Sequence, residues 1–249
     1  MRLKDKKIIV TGGGSGFGAE MSRRFAAEGA RVFVVDLNGS AAEKVAREIG
    51  SAAHPFTADV SRKDPVNAMV AAAIATFGDL DCVVNNAGYT HVNRPALEVD
   101  EETFDRVYAV NVKSIYLTTL AAVPHFRKRG GGSFLNIGST AGIRPRPGLT
   151  WYNGSKAAAN LLSKSLAVEL APDRIRVNAI CPVIGATGML EQFMGMPDTP
   201  ANRAKFIATI PLGRLSEPKD VANAAVFLVS DEAEFLTGVC LPVDGGRTI

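Results

Sequence analysis

Short apolar runs alternate along the chain with longer segments whose apolar positions recur every three or four residues. Lys7–Thr11, Arg31–Asp36, Ala53–Thr57, Asp81–Asn85, Ser133–Ser139, Arg174–Ile180 and Gly238–Val243 are of the first kind and read as buried strands. The second kind reads as helix: Ala19–Glu28, Ala41–Ile49, Pro65–Phe77, Glu101–Arg129, Tyr152–Ala171 and Pro218–Ser230. Pro65 opens the third of these and Gly78 follows its end, the expected asymmetry. Gly130–Gly132 stop the long fourth one, which carries Pro124 inside it. The stretch 182–212 is irregular with some helix.

Strand and helix alternate throughout, which predicts an α/β fold with a parallel sheet. No composition break, linker or repeat divides the 249 residues, so residues 1–249 are expected to form one doubly wound Rossmann-type domain. About seven parallel strands with right-handed crossovers would take the order 3-2-1-4-5-6-7, with helices on both faces.

Composition narrows the function without choosing it. A net charge of +3 is too small to argue for nucleic acid or a membrane surface. Cys82, Cys181 and Cys240 lie far apart, so neither a disulfide framework nor a metal site is expected. No apolar leader precedes the first strand, and a cytoplasmic location is the expectation.

Three features carry chemistry. Gly12, Gly16 and Gly18 sit between the first strand and a helix, where a backbone can approach a pyrophosphate. Their spacing departs from GxGxxG, because Phe17 and Glu20 stand where a third glycine is needed. Asp36 ends the second strand, where an acid can bind adenosine ribose hydroxyls; it could instead cap the helix after Asn38. A carboxylate there repels a 2′-phosphate, and Ser15 and Leu37 bring no positive charge to attract one, which favours NAD(H) over NADP(H). Tyr152 and Lys156 stand one helical turn apart, on one face. The ammonium is expected to favour the phenolate and pull the phenol down from its reference near about 10.

Together, TGGGSGFG at 11–18, Asn85-Asn-Ala-Gly88, Asn111, Ser139, Tyr152-x-x-x-Lys156 and Pro182 to Thr187 resemble the short-chain dehydrogenase/reductase family over the whole chain. The resemblance implies that Asn111, Ser139, Tyr152 and Lys156 are catalytic. Tyr152 would be the general acid/base and Ser139 a hydrogen-bond partner of the substrate oxygen. Lys156 would hold the nicotinamide ribose and lower the Tyr152 pKa, and Asn111 would bend its helix and anchor a proton-relay water. It also implies that Gly12, Ser15, Gly16, Phe17, Gly18, Asp36, Asp59, Val60, Asn86, Ala87, Gly88, Gly185 and Thr187 contact the cofactor. Asp59 and Val60 would take the adenine, and Thr187 the carboxamide. Val60 and Ala87 could equally be packing, and Asn111 a satisfied core asparagine. One departure is Val183, where the family usually has glycine beside the nicotinamide.

The expected activity is hydride transfer between NAD(H) and a secondary alcohol or ketone. A 3-oxoacyl-thioester reductase and a sugar dehydrogenase are the alternatives within that chemistry. A non-catalytic NAD(H)-sensing module is the alternative outside it, and it would need none of the four catalytic residues. Relatives with dehydratase or epimerase chemistry usually carry an added C-terminal domain. Residues 188–212, with Met189, Met194, Met196, Phe193 and Phe206, could form a mobile apolar lid or a packed helix pair. Arg94, Arg144 and Arg146 read as solvated loop arginines that could meet an anionic substrate. His91 could hydrogen-bond a substrate but reads more as an incidental loop histidine, and His54 and His125 read as structural. Val243–Gly246 resembles a family segment at subunit interfaces, so a homotetramer is expected.

Overall fold

A computed structural model describes residues 1–249. Its seven strands are β1 (Lys7–Thr11), β2 (Arg31–Asp36), β3 (Ala53–Thr57), β4 (Cys82–Asn85), β5 (Gly132–Ile137), β6 (Ile175–Pro182) and β7 (Cys240–Val243). All pair parallel, in the order 3-2-1-4-5-6-7. The helices are α1 (Gly16–Ala27), α2 (Gly39–Ile49), α3 (Lys63–Phe77), α4 (Glu101–Tyr108), α5 (Ser114–Arg129), α6 (Thr150–Leu170), α7 (Leu190–Met194), α8 (Pro200–Ile207) and α9 (Pro218–Val229). The expected single doubly wound domain is what forms.

Period-two alternation sends neighbouring strand residues to opposite cores. Ile8 and Val10 join Met21, Phe25 and Val226 on the side of α1 and α9. Ile9 joins Met69, Phe77 and Phe126 on the side of α3 and α5. Both faces are covered, so the central strands carry no polar face, which is why they read as continuous apolar runs. Two of their polar side chains, Asn85 and Asn136, are nevertheless buried and satisfied, with Thr118 of α5 and Ser163 of α6 completing the network. Asn85 Nδ2 donates to Asn136 Oδ1 at 2.8 Å, Thr118 donates to Asn85 Oδ1 at 2.9 Å, and Asn136 Nδ2 donates to Ser163 Oγ at 2.9 Å. Such a network ties β4, β5, α5 and α6 together only when every member is paired.

Two predicted elements are corrected. The run Ser133–Ser139 is strand only to Ile137, and Ser139 begins a 3₁₀ turn over Thr140–Gly142, its Oγ accepting from Ala141 N at 3.0 Å. The single helix 101–129 is α4 and α5 joined by a π turn over Ala109–Lys113. At its centre Asn111 is buried and holds the backbone of Tyr89. A widened turn is a common way to aim a side chain out of a helix's regular spacing.

No helix is long and apolar enough to cross a membrane. On the outer faces of α5 and α6, Tyr116, Leu120, Leu161 and Val168 are exposed.

Candidate active site

The strand order reverses between β1 and β4, and the crevice at their C-terminal ends is where ligands bind in such sheets. A cavity of about 520 Å³ lies there. Gly12, Ser15, Gly16, Phe17 and Asp36 line one end; Ser139, Leu149, Tyr152, Met189 and Phe193 line the other.

The β1–α1 turn is built for close approach. Gly12 has a φ of 62°, and a Cβ on Gly18 would overlap the Gly12 carbonyl oxygen. Thr11 Oγ1 accepts from the amides of Asn86 and Ala87 at 3.0 and 3.1 Å. Asn86 Nδ2 donates back to Thr11 O at 2.8 Å and Gly12 O at 3.1 Å, so the motif after β4 braces the turn after β1. The N-cap Ser15 makes no side-chain cap bond and the first turn of α1 holds no acid, so the helix end faces the cavity with free N–H groups.

Asp36 is not a helix cap, since Asn38 caps α2 through Ala41 N. Its carboxylate accepts from Gly14 N and Asn38 N, both at 2.9 Å, and lines the cavity beside Ser15 and Leu37. Asp59, Val60, Asn86, Ala87, Gly88, Gly185 and Thr187 also line it. Gly185 is forced by its neighbour, because a Cβ there would come within 2.6 Å of the Phe17 ring. Val183 lines the cavity and packs with Ile184, Leu190, Met194, Ile210 and Leu215. Its φ is not positive, so no backbone strain follows from the missing glycine. The glycine cradle, the uncapped helix end and the carboxylate on the far wall fit a dinucleotide. The pyrophosphate would lie on Gly12–Gly18, a ribose on Asp36, and the nicotinamide toward Thr187 and Tyr152.

At the other end Tyr152 is buried, its ring edge-to-face with Phe193 at 5.1 Å. Ser139 lines the same end of the cavity and acts on the phenol electrostatically, and it is itself held from behind by Asn160 Nδ2, 3.3 Å from Ser139 O. Lys156 Nζ donates to Ile137 O at 2.7 Å and lies 5.9 Å from the Tyr152 ring centroid. Asn111 donates to Ser155 Oγ at 3.0 Å, beside Lys156, and pairs with Tyr89 N and O at 2.8 Å. Ser139, from β5's exit, and Tyr152 and Lys156, from α6, share one wall of the cavity, while Asn111, in the π turn, is buried behind it against Ser155 and the Tyr89 backbone.

The electrostatics overturn one expectation. In the protein alone the Tyr152 phenol is pushed up to about 12, not down, because burial outweighs the Ser139 hydrogen bond and the Arg146 charge. Burial also pushes the Lys156 ammonium down, to about 8. Both groups are held toward their neutral forms.

The substrate loops resolve unevenly. Arg146 lines the cavity; Arg144 donates to Arg247 O at 2.9 Å instead, and Arg94 is exposed. His91 is buried away from the cavity, bonded to Val92 O at 2.9 Å. His54 stacks on Phe33 and His125 pairs with Asp79, both structural as expected. The methionines split: Met194 is core, while Met189 lines the cavity. Arg146, Met189 and Phe193 carried no motif that could have marked them as wall residues.

A family model described as Enoyl-(Acyl carrier protein) reductase matches residues 12–248. The chain is 54% identical to 4-formylbenzenesulfonate dehydrogenase TsaC1/TsaC2 of Comamonas testosteroni, over 100% of both chains. It is 37% identical to 2-(S)-hydroxypropyl-CoM dehydrogenase 3 of Xanthobacter autotrophicus, over 99% of this chain and 98% of that one. A crystal structure of a 3-ketoacyl-(acyl-carrier-protein) reductase from Brucella melitensis complexed with NADH superposes with a TM-score of 0.94 at 47% identity, covering 99% of this chain and 100% of that one.

Proposed function

We propose that this chain, which belongs to the short-chain dehydrogenase/reductase family, transfers a hydride between NAD(H) and a secondary alcohol or its ketone, with Tyr152 as general acid/base. That it is an NAD(P)-dependent oxidoreductase of an alcohol- or ketone-like substrate follows from the family. The observation carrying the finer reading is that Ser139, Tyr152 and Lys156 line one end of a cavity whose other end is the glycine turn and Asp36, with Asn111 buried behind them on Ser155. A sensing module would need only the second end.

When bound, NAD supplies the hydride acceptor. The protein's part is positioning and proton control. The Tyr152 oxygen takes the alcohol proton in oxidation and returns it in reduction. Ser139 donates a second hydrogen bond where negative charge grows on the substrate oxygen. Lys156, fixed by Ile137 O, holds a positive charge on the phenol's side of the cavity. Phe193 and Leu149 exclude water from the phenol.

Asp36 supports NAD over NADP, as does the NADH in the Brucella protein. Asp36→Ala is expected to shift the NADP/NAD ratio of kcat/KM toward NADP by about 10- to 100-fold, since like charges brought together cost several kcal/mol. An unchanged ratio counts against that role. The test of the reading itself is nicotinamide absorbance over a panel of alcohols, sugars and 3-oxoacyl thioesters with each cofactor. Binding of NAD without turnover anywhere would favour the sensor. The acyl-thioester reading keeps support from the Brucella relative, and turnover of the thioesters alone would select it.

Residues 188–212 are proposed to cover the substrate, since Met189 and Phe193 face the cavity while Leu190 and Met194 root the segment in its own core. The exposed Tyr116, Leu120, Leu161 and Val168 suit burial between subunits of a homotetramer, to be checked by light scattering.

A further inference from the structure

The substrate end of the cavity holds a cation without a counter-ion. Arg146, in the loop between β5 and α6, is half-buried on the wall beside Leu149, Tyr152 and Phe193. Its carbonyl accepts from Asn153 Nδ2 at 2.8 Å. Its guanidinium makes no hydrogen bond and no salt bridge, and lies over the face of Phe206, 5.1 Å to the centroid. The wall's two carboxylates, Asp36 and Asp59, are at the adenosine end, and both are already accepting protein N–H groups. The other arginine on the wall, Arg106, is exposed and stacks on Tyr89.

The surroundings sharpen the demand for an anion. Burial and the nearby charge of Arg247 push Arg146 down to about 10. Nε and Nη1 of Arg247 are themselves buried without an acceptor. A guanidinium does not escape such a site by losing its proton at neutral pH. Buried charges in folded proteins are paired, and the protein supplies no partner here. The partner would arrive with the ligand. Leu149 and Phe193, which pack with Tyr152, make the wall that Arg146 shares apolar and aromatic. That lining suits a flat ring spanning from the reacting carbon to the anion.

We propose that Arg146 anchors a carboxylate or sulfonate carried by the substrate, making the substrate class a ring-bearing anionic alcohol and its carbonyl counterpart. This rests on the hydride-transfer reading above. A guanidinium fork can donate two parallel hydrogen bonds to either anion.

The test compares wild type, Arg146→Met and Arg146→Lys, with NAD, on 1-phenylethanol and its 4-carboxylate and 4-sulfonate derivatives. Wild type is expected to favour one or both anionic alcohols over the neutral one by about 10- to 100-fold in kcat/KM, the size of a charged hydrogen-bond pair. The two anionic arms show which group is read. Arg146→Met is expected to bring that ratio to about one, with most of the loss on the anionic substrates, and Arg146→Lys to restore part of it. A wild-type ratio near one overturns the anchor. So does an equal loss on all three alcohols in Arg146→Met, which would mean the arginine merely props Phe206. Calorimetric titration of 4-acetylbenzoate, 4-acetylbenzenesulfonate and acetophenone into the NAD-saturated protein reads the same preference without turnover. Equal binding of all three ketones overturns the anchor even if no alcohol in the set reacts. Failure of hydride transfer is seen separately, as absent turnover of every alcohol beside intact selective binding.

Discussion

Tyr152→Phe is expected to lower kcat on the order of 10³- to 10⁴-fold while NAD binding stays within about threefold. The substitution removes one oxygen. The ring keeps its edge-to-face contact with Phe193 and its packing against Leu149 and Ala141, so the cavity wall holds its shape. What is lost is the proton acceptor beside Ser139. Turnover and cofactor affinity, measured on the same preparation, separate the two effects. Robust turnover in the variant would remove Tyr152 from the mechanism. The pH dependence carries the same assignment. Burial raises the phenol to about 12, so its base form is scarce near neutrality and becomes commoner as pH rises. Alcohol oxidation by wild type should therefore climb between about pH 6 and 8, while ketone reduction, which uses the protonated phenol, stays nearly level. An oxidation rate that falls over that interval would contradict a phenol base.

Lys156→Met is expected to change activity and stability in opposite directions. Turnover should fall by about 10²-fold or more, because the ammonium that Ile137 O fixes on the phenol's side of the cavity is gone. Stability at neutral pH should rise. The ammonium is pushed from 10.5 to about 8 by burial, a penalty of roughly 3 kcal/mol on the charged form. The lost bond to Ile137 O returns about 1 kcal/mol, which leaves a gain of about 1–2 kcal/mol. The sign with pH is set by which state holds the proton. Between about 8 and 10.5 the unfolded chain keeps a proton that the folded chain has released. Wild type therefore gains on the variant as pH rises through that window. The gain is complete above 10.5 and is lost as pH falls through about 8. Urea midpoints of both proteins at pH 7 and pH 10 read this directly. A variant less stable at both, by the same margin, would show that the lysine is not a strained buried charge. A residue kept at a cost in stability is what a working site in a fold of modest stability permits.

The sheet order and the glycine turn could be read from the chain because their causes are local. Ile8 to Val10 is apolar at every position, and only a strand buried on both faces wants that. Gly12 and Gly18 sit where a turn must pass close to another backbone, and that need is visible in residue type alone. Asn111 was legible as a residue of the site but not as the centre of a π turn. The widening depends on the Tyr89 backbone, 22 residues away, offering both a donor and an acceptor. Ser139 was placed on a strand because it follows the run Phe134, Leu135 and Ile137; the chain leaves the sheet two residues earlier than the run suggests.

By itself the sequence determined that this chain folds as an alternating α/β domain with a dinucleotide turn after β1 and a tyrosine and lysine sharing one face of α6. Each of those follows from the spacing of a few neighbouring residues. Only the tertiary structure decided how those groups titrate and what surrounds them. Tyr152 and Lys156 look from their spacing like a pair in which the cation lowers the phenol. In the fold both are buried, Lys156 turns to Ile137 O, and loss of solvent dominates. Arg146 is one of three loop arginines that the sequence offers for an anionic substrate, and only the tertiary fold, with the guanidinium over Phe206 of α8, puts it on the cavity wall. Burial is a sum over elements distant in sequence, so no local pattern encodes it, and charge in this site is governed by burial.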